Sequence, residues 1–116
     1  MKNSNKILYS VSGNIAKLTL NRPERRNALD SEALEQINIL MDRAESDEKV
    51  RVILITGQGD TFSSGFDLKD QMEKAPRGKQ WKPILELDHR TIMRFWNSPK
   101  PTIAAVRGAC LAGGFE

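Results

Sequence analysis

The chain is poor in the residues that staple or metallate small proteins. Its 116 residues include one cysteine, Cys110, and one histidine, His89. A single cysteine excludes an internal disulfide and agrees with a reducing compartment. One Cys and one His leave no His/Cys zinc cluster. No apolar run approaches the ~20 residues that a membrane-spanning helix needs. The basic start, Met1 to Lys6, leads into no apolar h-region, so no signal peptide is expected. An excess of one charge is missing too: a net charge of +3 suits anionic ligands without calling for nucleic acid. Internal repeats and low-complexity tracts are absent. With 39% hydrophobic and 28% charged residues the chain reads as at most one soluble, cytoplasmic α/β domain.

What is there begins with two β-prone runs, Ile7 to Val11 and Ile15 to Leu20, flanking Ser12-Gly13-Asn14. Gly and Asn tolerate positive φ, so a tight hairpin is expected. In the second run Ala16, Leu18 and Leu20 share one face, and Ile15, Lys17 and Thr19 the other. Pro23 ends it, lacking the N–H that a ladder needs. Asp30 or Ser31 can cap a helix whose apolar stripe is Leu34, Ile37, Leu40, Met41 and Ala44. Val52 to Ile55, wholly apolar, reads as a strand buried on both faces. The crossover helix makes parallel neighbours the expectation. A short helix follows Asp67, then a polar loop from Glu73 to Gln80. A further helix is expected from about Pro83 to Trp96, with Leu85, Ile92 and Phe95 buried. Ser98-Pro99-Lys100-Pro101 breaks it and leads into the strand Ile103 to Val106.

Two of these strands run into glycine-containing turns, Thr61 to Leu68 and Arg107 to Glu116. Such turns permit backbone conformations closed to other residues, and they leave peptide N–H groups free near a helix start. Two of them brought together would form a two-donor hole for a developing oxyanion. Either turn alone is also a plain strand-to-helix connection. Ser63 and Ser64 are not in a nucleophile elbow, because Phe62 holds the first glycine's place, so a serine hydrolase is not expected.

Phe62-Ser63-Ser64-Gly65-Phe66-Asp67-Leu68 resembles a signature of the enoyl-CoA hydratase/isomerase (crotonase) superfamily. So does Pro99 to Gly108, followed by Ala112-Gly113-Gly114-Phe115-Glu116. Asn21 to Leu29 resembles a third signature in the right order. The likeness runs from about Ile7 to Glu116. It implies a crotonase-like ββα spiral fold, of which 1–116 would be the N-terminal part with the C-terminal part absent, and by itself a poor catalyst.

The resemblance also implies a ligand and roles. The substrate would be a coenzyme A thioester, with no permanently bound cofactor and no metal. Backbone N–H groups of Ser64 and Gly113 would hold its carbonyl oxygen. Glu116 matches the first of two glutamates that in hydratases add water to a trans-2-enoyl thioester, while the partner lies beyond Glu116; at the end of a chain Glu116 could equally be a frayed, solvated residue. Arg25 and Arg26 would face the phosphates, unless they are a solvated charge run. Ala28, Ser63, Gly65, Phe66, Asp67 and Leu68 would line the adenine and pantetheine path, and Asp67 is preferred as a helix cap. Trp81, Phe95 and Trp96 could line an acyl pocket, with core preferred for Phe95. His89 reads as a helix-surface residue. The family implies a homotrimer or hexamer. Rival readings are an isomerase or hydrolase of the same superfamily and a non-catalytic CoA-binding module. RNA binding through Arg22, Arg25 and Arg26 lacks an aromatic stacking run, so nucleic acid is not expected.

Overall fold

The computed structural model describes residues 5–74 and 77–116, Lys79 by its backbone alone. The first residues of the basic N-terminal stretch, and Ala75 and Pro76 of the polar loop, lie outside the described residues. Strands β1 (Ile7–Ser12) and β2 (Ile15–Leu20) form the expected antiparallel hairpin. Helix α1 (Ser31–Ser46) crosses over to β3 (Val52–Gly57), which pairs parallel with β2. Helices α2 (Leu68–Lys74) and α3 (Trp81–Asn97) precede β4 (Thr102–Ala105), parallel to β3. The sheet order is β1-β2-β3-β4.

Asp30 caps α1 as its side chain accepts from the Ala33 N–H at 2.8 Å. Leu34, Ile37, Met41 and Ala44 are buried against Ala16, Leu18 and Leu20 of β2 and Ile53 of β3, while Leu40 is half-buried. Burying each large apolar side chain contributes about 1.5–3 kcal/mol, which a helix of this length needs from its sheet to be stable.

Two expectations change, and Thr19 departs from the other residues of its face. Thr19 is buried although Ile15 and Lys17 on its face are exposed; it stands in register between Leu8 and Thr56. In β3 only Ile53 and Gly57 are buried. Both α1 and α3 pack on the face that carries Ile53 and Ile55, so Val52 and Leu54 are only half-covered. Helix α3 starts at Trp81, with Leu85 exposed and Ile92 and Phe95 half-buried. Its fully buried residues are polar, Asp88 and Thr91. Thr91 Oγ1 accepts from Asn38 Nδ2 at 2.8 Å, and Arg94 reaches Asp42 at 2.8 Å, so hydrogen bonds join α3 to α1 where an apolar stripe was expected.

The topology positions the site. β2, β3 and β4 are parallel, so Leu20, Gly57 and Ala105 end at one edge of the sheet. All three motif loops leave from that edge, and open parallel sheets offer their binding crevices at the carboxyl ends of the strands.

Candidate functional site

Backbone hydrogen bonds join the three loops into one body. Phe62 N–H donates to Ala109 O at 2.9 Å and Leu111 N–H to Ser63 O at 3.0 Å, which ties the two glycine turns together. Leu29 N–H donates to Gly65 O at 2.8 Å and Asp67 N–H to Leu29 O at 2.9 Å, which ties the Asn21 to Leu29 loop to the first turn.

Asn27, 1% exposed and at positive φ, is the centre of this body. Its Oδ1 accepts from Arg22 N–H at 2.8 Å, and its Nδ2 donates to Gln58 O and Thr61 O at 2.9 and 2.8 Å. Its own carbonyl accepts from Ser63 Oγ at 2.9 Å. Asn27 had no assigned role beyond its place in a motif; a buried asparagine in a charged stretch leaves no local periodicity to betray it. Asn27→Ala is expected to strand buried polar groups and to lower stability by roughly 2–3 kcal/mol in urea unfolding. An unchanged midpoint would contradict that role.

The amides divide into committed and uncommitted. Ser64 N–H, expected as a donor to ligand, already donates to Arg26 O at 3.0 Å. Gly65 N–H donates to Ser63 Oγ at 3.1 Å. Phe66 N–H and Gly113 N–H find no acceptor among the described residues. The two residues are packed together: a Cβ added to Gly113 would sit 2.6 Å from Cε2 of the Phe66 ring. Glycine at 113 is therefore what lets the second turn approach the first. The free pair is thus Phe66 with Gly113, because the bridge to Leu29 uses the Gly65 carbonyl and the Asp67 N–H, and the Phe66 N–H, opposite the Gly65 carbonyl in the same peptide plane, turns away from Leu29.

Beside Phe66 lies a pocket of about 350 Å³, lined also by Ser64, Asp88, His89, Ala112 and Glu116 among others. A second cavity of about 380 Å³ opens between the sheet and α3, walled by Ile55, Phe62, Phe95, Val106, Gly113 and Glu116 among others. Its walls are apolar, and Phe95 belongs to them as core. Trp81 is half-buried and Trp96 is 83% exposed; neither lines either cavity, which corrects the expectation of an acyl wall built from them.

A family model for enoyl-CoA hydratase/isomerase matches residues 10–116. The chain belongs to that family. It is 38% identical to a probable enoyl-CoA hydratase of Bacillus subtilis (strain 168), covering 97% of this chain and 43% of the relative. It is also 38% identical to a putative enoyl-CoA hydratase of Thermus thermophilus, over 88% of this chain and 41% of the relative. Its fold matches the crystal structure of an enoyl-CoA hydratase/isomerase from Xanthobacter autotrophicus Py2 with a TM-score of 0.92 and 57% identity, over 97% of this chain and 42% of that one. The crotonase fold follows, and the chain spans about two-fifths of the length of these relatives.

Within this crotonase-family frame the remaining site residues divide by what they touch. Asp67 caps α2, its Oδ1 accepting from Asp70 N–H at 3.1 Å. Its Oδ2 also pairs with Arg22 at 3.3 Å and, more loosely, with Arg25 at 3.8 Å. Arg26 is exposed, at positive φ, and has no ion pair among the described residues. Ala28 O accepts from Arg22 Nη1 at 2.7 Å. Ser63 is fully buried with its hydroxyl spent on Asn27 and Gly65, so its side chain is structural. Leu68 is 68% exposed and lines the smaller pocket. His89 is exposed on α3. Glu116 N–H donates to Ala112 O at 3.2 Å, and the residue borders both cavities. Asp88, absent from the expected site, borders the pocket beside Glu116. Among the described residues no group of three or more His, Cys, Asp or Glu side chains could hold a metal ion, and no helix is long and apolar enough to cross a membrane.

Proposed function

We propose that this chain forms the acyl-CoA site of an enoyl-CoA hydratase, which adds water to a trans-2-enoyl thioester. One observation carries the reading: two amides without an acceptor among the described residues, Phe66 and Gly113, stand on adjacent turns, each at a cavity that Glu116 also borders. Preorganised N–H donors stabilise a developing thioester oxyanion, and each is worth about 3 kcal/mol of barrier. Gly113 keeps the role that the motif implied for it. Phe66 takes the role first placed on Ser64, whose N–H could serve only by giving up Arg26 O.

Glu116 would act as base toward the water. Arg26, exposed and unpaired, and Arg25, loosely held, would meet the phosphates of coenzyme A, for which a guanidinium is well shaped. Ala28, Gly65 and Leu68 would border the adenine and pantetheine. The complete protein would be a cytoplasmic homotrimer or hexamer; this rests on family resemblance alone. Calorimetric titration of the full-length protein with acetyl-CoA, and loss of enoyl absorbance from crotonyl-CoA, test the reading. Binding with turnover is the expected result. A protein that binds no acetyl-CoA would overturn it.

A further inference from the structure

One guanidinium stands between the caps of two helices. Arg22 Nη1 donates to Ala28 O at 2.7 Å and to Asp67 Oδ2 at 3.3 Å, with Asp30 Oδ2 3.5 Å away. Each carboxylate keeps its other oxygen on a helix start. Asp30 Oδ1 accepts from Ala33 N–H at 2.8 Å in α1, and Asp67 Oδ1 from Asp70 N–H at 3.1 Å in α2. The two differ in their remaining partners. Asp30 also has Lys6, whose Nζ lies 2.5 Å from its Oδ2. Asp67, only 6% exposed, has one further cation among the described residues, Arg25 at 3.8 Å. A buried carboxylate stripped of its partner is strongly disfavoured, so it draws in the next cation within reach. For Asp67 that cation is Arg25, whose side chain is half exposed.

We propose that Arg22 is a positioning residue of the phosphate site: it satisfies Asp67 inside the protein and so leaves Arg25 free for an anion outside it. The role rests on the acyl-CoA reading, in which Arg25 and Arg26 meet the phosphates of coenzyme A. Arg22 itself is mostly buried and fully engaged, so it is not a phosphate contact. Its backbone serves the same end. Arg22 O accepts from the N–H groups of Arg25 and Asn27 at 2.9 and 2.8 Å, so the turn that carries Arg25 and Arg26 is built on it. Carboxylate and phosphate oxygens are rival acceptors for one guanidinium, and Arg22 removes the carboxylate from that contest.

Calorimetric titration of the full-length protein with acetyl-CoA tests this. Arg22→Met keeps a long apolar stem in the buried site and removes the charge. It is expected to weaken acetyl-CoA binding about tenfold, the scale of one charge-assisted hydrogen bond. Asp67→Asn keeps a capping side chain on α2 and removes the competing charge. In that background Arg22→Met should cost little further affinity, because Arg25 has no carboxylate to turn to. An equal loss in both backgrounds would overturn the proposal, and so would unchanged affinity in Arg22→Met alone. Should Arg22→Met fail to fold, Asp67→Asn by itself decides. Acetyl-CoA affinity raised about twofold to fivefold supports the role of Arg22, and affinity unchanged or lowered overturns it. An unaltered protein that binds no acetyl-CoA strikes the acyl-CoA reading itself, and this role with it.

Discussion

Alanine at position 108 should cost the protein a large share of its stability, roughly 3–5 kcal/mol out of the ~5–15 typical of a domain. Gly108 has φ +72°, where a side chain is strained, and an added Cβ would lie 1.8 Å from the carbonyl oxygen of Asp60. That neighbour is backbone, so no rotamer change relieves the overlap; the two glycine turns must move apart. Their bonds, Phe62 to Ala109 and Leu111 to Ser63, are the ones that would stretch. The expected readout is a lowered urea midpoint together with loss of acetyl-CoA binding. Retained stability and binding would show that the two turns are not held as one body.

The second large effect is on rate. Glu116→Gln removes a carboxylate but keeps its shape, and is expected to reduce crotonyl-CoA hydration in the full-length protein about 10²–10⁴-fold, the range for a positioned base. Acetyl-CoA affinity should change little, because under the proposed reading the donors to the thioester would be backbone amides and the phosphates would meet Arg25 and Arg26. Stopped-flow loss of enoyl absorbance measures the first quantity and calorimetry the second. A variant with undiminished turnover would remove Glu116 from the chemistry.

Local chemistry made much of the fold legible. Strand β2 alternates over Ala16, Leu18 and Leu20, α1 repeats at Leu34, Ile37 and Met41 behind an Asp30 cap, and each β-strand ends close to where turn residues begin. The three motif loops were legible as well, because glycine-bearing turns after apolar strands carry a local signal. What local signals omit is which groups a distant segment has already used. Ser64 and Phe66 look alike in a motif; only the pairing with Arg26 O and the bridge to Leu29 separate a committed amide from a free one. Asp88 escaped for a related reason. A buried carboxylate on a helix reads as a solvent-facing residue until Gln71 of α2 is seen opposite it. Leu85 and Trp96 erred in the other direction, one expected buried and the other on a pocket wall, on a helix whose fully buried residues are Asp88 and Thr91.

The decisive measurement is a crystal structure of the full-length protein with an unreactive acyl-CoA thioester bound. The account places the thioester oxygen about 2.7–3.1 Å from both the Phe66 and Gly113 nitrogens, with Glu116 on the acyl side of the carbonyl. A carbonyl bound to the Ser64 amide, or lodged in the apolar cavity under α3 with the two amides still free, would contradict it.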